Sequence, residues 1–277
     1  MTAGVFVTIG DFATRKFYGE ARMTLWARID YGGQARIGVV EGDAIFLHEG
    51  DLFDSGAATG EIVPVAEAHW LTPTSPTKMV ALWNNFHAAA EKNGWAIPAE
   101  PLYFIKTPNS FNAHGQQIRA PGAYDGRVFY EGELGVVIGK TCTAVPVESA
   151  GEYIFGYTCV NDVTALELLQ RDPSFPQWTR AKNFDTFGVF GPVVATGLDP
   201  MALRVRTLVN GRERQNYGLD DAIFAPAELV SRISHDMTLE AGDIIACGTS
   251  LGVLPMKSGT TIEVAIDGVG VLRNQYV

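Results

Sequence analysis

Tyr130-Glu131-Gly132-Glu133-Leu134-Gly135-Val136-Val137-Ile138-Gly139 places two carboxylates two residues apart in a run that otherwise favours a strand. Side chains at i and i+2 of a strand share a face, so Glu131 and Glu133 stand side by side, roughly 6.5 Å apart along the backbone. The other face, Val128, Tyr130, Leu134, Val136 and Ile138, is apolar and reads as core. Two like charges at a half-buried site repel, and one is driven to take a proton. A bound cation removes that conflict, and hard oxygen ligands suit magnesium, manganese or calcium. A Glu-x-Glu pair on a solvated strand face is also common, so the pair needs a third ligand to point to a metal.

Gly156-Tyr157-Thr158-Cys159-Val160-Asn161-Asp162-Val163-Thr164 supplies that ligand as a strand running into a turn, with Asp162 at its end. The segment from Thr164 to Gln170 is dense in helix formers and is expected to be helical. Helix capping is the ordinary duty for Asp162. Thr164 and Glu167 already form the Thr-x-x-Glu capping pattern, which frees Asp162 for another role. Three carboxylates from two elements, with waters or substrate completing six-fold coordination, make an open magnesium-type site.

The chain has 277 residues, 47% hydrophobic and 19% charged, enough to bury a full core in one large or two unequal domains. A formal net charge of -10 argues against nucleic acid and anionic membranes as partners. An anionic substrate then needs a local positive centre, which a metal and a lysine supply. Cys142, Cys159 and Cys247 have no metal-type spacing, and reduced cytoplasmic thiols are the simplest account. No signal peptide is expected, and no apolar run approaches a membrane span.

Between Met23 and Leu47, short apolar stretches break at Tyr31-Gly32-Gly33 and Glu41-Gly42-Asp43, a hairpin pattern. Leu71-Thr72-Pro73-Thr74-Ser75-Pro76-Thr77-Lys78 is the best domain boundary, giving domains 1–78 and 79–277. A short helix is expected near His87, capped by Asn84 or Asn85 and ended by Gly94. Another is expected from Pro226 to Ile233, among a majority of strands.

The Glu131/Glu133 strand, the 156–164 segment, Arg180-Ala181-Lys182-Asn183-Phe184-Asp185-Thr186-Phe187 with Gly191-Pro192, and Gly242-Asp243-Ile244-Ile245-Ala246-Cys247-Gly248-Thr249-Ser250-Leu251-Gly252-Val253 occur in one order. With Val209-Asn210-Gly211-Arg212 and Asp267-Gly268-Val269-Gly270-Val271-Leu272-Arg273-Asn274, they resemble the fumarylacetoacetate hydrolase family over about Met79 to Val277. The resemblance implies a β-rich α+β fold. Its parts are a small N-terminal β domain and a mixed β-sandwich roll of the family's C-terminal type, which holds the site. It also implies a bacterial cytoplasmic enzyme that pairs as a homodimer.

The resemblance suggests further roles. His87 matches a family histidine that activates water as a base, and Glu91 is the candidate to orient it. The family glutamate falls at Ala90, so Glu91 is about 100° around the helix from that place. A solvent-exposed His–Glu pair worth little is the alternative. Lys182 matches a lysine facing the metal and stabilising negative charge, although its stem could simply pack among Phe184, Phe187, Val189 and Phe190. Thr249 matches a threonine contacting a substrate carboxylate, and Lys106 a family lysine placed with the substrate-binding residues. Departures stand at Leu166 and Leu169, where many family hydrolases carry an Arg and a Gln.

The expected chemistry begins with a small 2-oxo acid chelating Mg2+ or Mn2+ (or Ca2+) and giving an enolate. If His87 activates water against a second carbonyl, an acylpyruvate-type 2,4-dioxo acid is cleaved at a C–C bond, and this hydrolysis ranks first. Isomerisation or decarboxylation of a 2-oxo (2-hydroxy-diene) dioic acid in aromatic catabolism ranks second. Leu166 and Leu169 support it, because neither reaction passes through a tetrahedral oxyanion. A non-catalytic metal-stabilised binding scaffold is a distant third.

Overall fold

Alternating burial and two glycine turns build the first sheet-forming unit of the computed structural model, which describes residues 23–277. Strands β1 (Thr24–Tyr31), β2 (Gln34–Glu41), β3 (Ala44–Gly50) and β4 (Ser55–Pro64) form a meander, followed by the short β5 (His69–Trp70). Gly32 and Gly33 have φ of 63° and 79°, and Gly42 has 59°. These are left-handed conformations that a tight hairpin requires and side chains resist. The hairpins expected from the sequence are therefore present.

The rest of the chain follows as β6 (Met79–Trp83), α1 (His87–Asn93), β7 (Leu102–Lys106), β8 (Phe111–Asn112), β9 (Gln117–Ile118), β10 (Gly132–Ile138) and α2 (Val147–Ala150). Then come β11 (Ile154–Asp162), α3 (Trp178–Lys182), β12 (Gly188–Thr196), β13 (Arg204–Val209), β14 (Arg212–Gly218), α4 (Pro226–Asp236), β15 (Ile244–Ala246), β16 (Thr261–Ile266) and β17 (Gly270–Tyr276). One sheet runs β4-β3-β2-β1-β12-β11-β10-β15-β6-β7, with β5 on β1 and β8 on β12. The second runs β14-β13-β16-β17-β9. β10 and β11 pack on β13, β16 and β17, and Leu134, Val136, Val205, Val264 and Leu272 fill the space between the sheets. The fold is the β-rich α+β class the sequence implied.

Three local expectations change. The segment after Asp162 is not a helix from Thr164 to Gln170 but a single 3-10 turn, Leu166–Leu168. Thr164 and Glu167 do not form a capping box. The Thr164 hydroxyl goes to Glu131 and to the Asp162 carbonyl, while Glu167 binds Tyr124 and Arg127. Tertiary partners simply outbid the local cap. Helix α1 ends at Gly94 in a left-handed conformation as expected, but neither Asn84 nor Asn85 caps it. Asp221 Oδ2 instead accepts from the Ala88 N–H at 3.0 Å. Asn85 is occupied with the carbonyls of Phe224 and Cys247.

Candidate metal centre

Strand register brings the acidic residues together. β10 pairs antiparallel with β11, Gly132 facing Asn161, so Glu131 meets the end of the neighbouring strand. The Asp162 N–H donates to the Glu131 carbonyl at 2.9 Å, and the Glu131 N–H to Asn161 Oδ1 at 3.0 Å. One oxygen from each of Glu131, Glu133 and Asp162 lies within 4.8 Å of the others. Glu133 and Asp162 are fully buried, deeper than the half-buried face expected from alternation.

The carboxylates differ in electrostatics. Burial, then the charges of Asp162 and Glu131, pushes Glu133 well above the usual carboxylate range. Burial also raises Glu131, which the Lys182 ammonium partly offsets. Burial acts the same way on Asp162, but the ammonium groups of Lys106 and Lys182 outweigh it and hold it low. Glu133 Oε2 accepts from the Gly248 N–H at 2.8 Å, while Oε1 is buried with no hydrogen-bond partner. An orphaned buried oxygen beside two further carboxylates is an uncompensated cost that a divalent cation removes. The hard, all-oxygen donor set fits magnesium, manganese or calcium.

Lys182 closes the cluster from α3, a helix the sequence did not foreshadow. Its Nζ stands 2.8 Å from Glu131 Oε2 and 2.5 Å from Asp162 Oδ2. Burial opposes its charge, but those two carboxylates win and raise its pKa, so the group stays an ammonium. Lys106 lies behind Asp162 with its side chain sealed from solvent, its Nζ 2.6 Å from Asp162 Oδ1.

Thr249 is tied to the same strand. Its hydroxyl donates to the Gly132 carbonyl at 3.0 Å and accepts from Gln215 Nε2 at 2.8 Å. Gln215 Oε1 in turn accepts from the Gly132 N–H at 3.0 Å, and the Tyr217 hydroxyl donates to the Gly132 carbonyl at 2.6 Å. Gln215 and Tyr217, both on β14, thus hold the Glu-Gly-Glu strand from the second sheet. Sequence reasoning missed both, and Thr164 with them. The available signal was a Gln and a Tyr two residues apart, alternating inward along a strand whose outward positions are polar or charged.

His87 begins α1, exposed to solvent. Phe86, just before it, packs edge-on against Tyr217 at 4.8 Å, so the helix is seated two contacts from Gly132. His87 and Glu91 are both exposed, and no hydrogen bond or ion pair joins them. Leu166 is 41% exposed, and Leu169 packs against the core.

The model of the fumarylacetoacetate (FAA) hydrolase C-terminal family matches residues 78–277. The chain belongs to the fumarylacetoacetate hydrolase family. It is thereby one of the family's enzymes. Residues 25–73 match a second model, Rv2993c-like, N-terminal. Oxaloacetate tautomerase YisK of Bacillus subtilis is 38% identical over 75% of this chain and 72% of its own length. The crystal structure of 5-carboxymethyl-2-hydroxymuconate delta-isomerase from Mycobacterium smegmatis aligns with a TM-score of 0.83 and 34% identity, covering 91% of this chain and 99% of that one. A maleylpyruvate hydrolase from a Sphingobium species, solved with manganese(II) and pyruvate, aligns with a TM-score of 0.76 and 27% identity, covering 91% and 98%. Among the described residues no helix is long and apolar enough to cross a membrane.

Proposed function

We propose that this enzyme moves a proton on a small 2-oxo acid, tautomerising or isomerising a 2-oxo (2-hydroxy-diene) dioic acid through an enolate, the proton leaving carbon to solvent water and returning from it at another atom. Glu131, Glu133 and Asp162 would hold Mg2+ or Mn2+ for it. The observation that carries the reading is the Lys182 ammonium, fixed between Glu131 and Asp162 at 2.8 and 2.5 Å. A bound divalent cation supplies Lewis-acid polarisation of the 2-oxo group. Lys182 Nζ, held against Glu131 and Asp162, sets a preorganised positive charge where an enolate develops. Glu133, hydrogen-bonded by the Gly248 N–H, keeps an oxygen turned into the cluster. Gln215, Tyr217 and Thr249 hold Gly132, and so the spacing of the two glutamates.

Proton transfer is placed ahead of C–C cleavage, reversing the order drawn from sequence. Leu166 and Leu169 offer no donor to a tetrahedral oxyanion, and a tautomerase and an isomerase stand among the relatives at 38% and 34% identity. Hydrolysis of an acylpyruvate is the second reading, favoured by the likeness to a maleylpyruvate hydrolase and by His87 seated through Phe86 on Tyr217. Homodimeric pairing and a cytoplasmic setting belong to the same proposal, and light scattering tests the first.

Proton NMR in D2O with Mg2+ separates the reactions on a panel of oxaloacetate, unsaturated 2-oxo dioic acids and acylpyruvates. Enzyme-dependent exchange or double-bond migration without cleavage is the expected result. Faster release of pyruvate from an acylpyruvate would hand the assignment to hydrolysis.

A further inference from the structure

The proposed reaction leaves Lys106 without a duty, although the structure gives it a demanding place. It ends β7 with no exposed surface, and an ammonium withdrawn from water is costly unless it is paired and hydrogen-bonded. Its Nζ donates to the Lys182 carbonyl at 2.6 Å and to the Val163 carbonyl at 3.3 Å. Asp162 Oδ1 lies 2.6 Å away as an ion pair. Val163 directly follows Asp162, and the Lys182 carbonyl ends α3, where a helix leaves its last carbonyls without partners of its own. One buried amine therefore ties the end of β11 to the end of α3.

The same strand holds Lys182 a second time. Phe104 and Lys106 are two residues apart on β7 and share a face. The Lys182 ammonium sits 4.7 Å from the centre of the Phe104 ring, and the Lys182 carbonyl is bound by Lys106. β7 thus grips Lys182 at both its charged end and its backbone.

We infer that Lys106 is a positioning residue, setting the orientation of Asp162 and the end of α3 and so the placement of the Lys182 ammonium against the metal-binding carboxylates. This rests on the metal assignment above and is independent of which 2-oxo acid reacts.

Titrating Mn2+ alone into the wild type and Lys106→Met by calorimetry tests it without substrate, because the two roles open to Lys106 predict opposite signs. If Lys106 were only a nearby positive charge, its removal would tighten cation binding. If it positions Asp162, removal weakens binding, by roughly 10- to 100-fold for partners that orient metal ligands. Weakening of at least about tenfold, in a variant shown folded by circular dichroism, is expected. Unchanged or tighter binding overturns the inference. Lys106→Gln keeps a donor and a shorter stem, and covers the case in which the Met variant does not fold. Its Mn2+ affinity should fall below that of the wild type, and equal or higher affinity is likewise fatal. A wild type that binds no Mn2+ sinks this inference together with the metal assignment. The proposed reaction fails separately, if Mn2+ titrates yet no 2-oxo acid turns over.

Discussion

Gly132 approaches Thr207 so closely that a β-carbon on the glycine would collide with the threonine Oγ1. The residue between the two glutamates is thus where the second sheet presses on the metal strand. Only a hydrogen side chain lets Gln215 and Tyr217 reach its backbone.

Gly132→Ala should therefore destabilise the fold by about 1–3 kcal/mol through overpacking, and should also weaken Mn2+ binding. Denaturant melts and calorimetry measure the two effects. Thr207→Ala, which removes a buried hydroxyl without a partner, should restore part of both in the double variant. If Gly132→Ala melts and binds like the wild type, the pressed contact is not real.

Glu133→Gln should abolish the rise in melting temperature that Mn2+ gives the wild type. The carboxyl is raised well above its ordinary 4.5 by burial and by Asp162 and Glu131. A raised acid binds more protons folded than unfolded, so its contribution to stability falls as pH climbs from about 4.5 through the folded value. Metal-free wild type should thus lose ground to Glu133→Gln as pH rises, and Mn2+ should reverse that. Equal pH slopes for the two metal-free proteins would refute the assignment.

Lys182→Met keeps much of the stem and removes the charge. Turnover should fall by orders of magnitude while affinity for a ground-state 2-oxo acid changes little, because the ammonium matters most as enolate charge develops. Equal losses in both would make Lys182 a carboxylate anchor instead.

His87→Ala separates the two reactions. Cleavage of an acylpyruvate should collapse, whereas tautomerisation of oxaloacetate should stay within about tenfold of wild type, since water activation is needed only for the first. Retained cleavage would place the hydrolytic base elsewhere.

Acid should loosen the contact between His114 and Trp70, whose rings meet edge-on at 5.6 Å. Burial, then the Arg273 charge, lowers His114 to about 4, and its Nδ1 accepts from the Arg273 N–H at 3.1 Å. The folded protein binds fewer protons than the unfolded chain between about 4 and 6.5. Stability present above 6.5 is therefore lost as pH falls through that window, by at most roughly 3 kcal/mol. Urea melts at pH 7 and 4.5 should show a smaller loss in His114→Gln than in the wild type.

Local periodicity and turn chemistry carried a good deal unaided. The Gly32-Gly33 and Gly42-Asp43 hairpins, the Pro226 helix and the strand carrying Glu133, which starts at Gly132 just after Glu131, follow from backbone preference and turn chemistry, which act over a few residues. The family motifs in order pointed to the fold and to the acidic triad. Thr164, Glu167 and Asn85 were not legible in the same way, because their local options were good ones. A Thr-x-x-Glu box and an Asn cap are both sound local solutions. Each lost to a partner far along the chain: Thr164 to Glu131, Glu167 to Arg127, Asn85 to Phe224 and Cys247.

The sequence by itself determined which residues bring charge and where strands turn. Only tertiary structure decided the depth of Glu133, the hold of Gln215 and Tyr217 on Gly132, and the burial of Lys106 behind Asp162. The physical reason is desolvation. A carboxylate or an ammonium withdrawn from water must find opposite charge or hydrogen bonds wherever the packed sheets offer them, and no local pattern records where that will be.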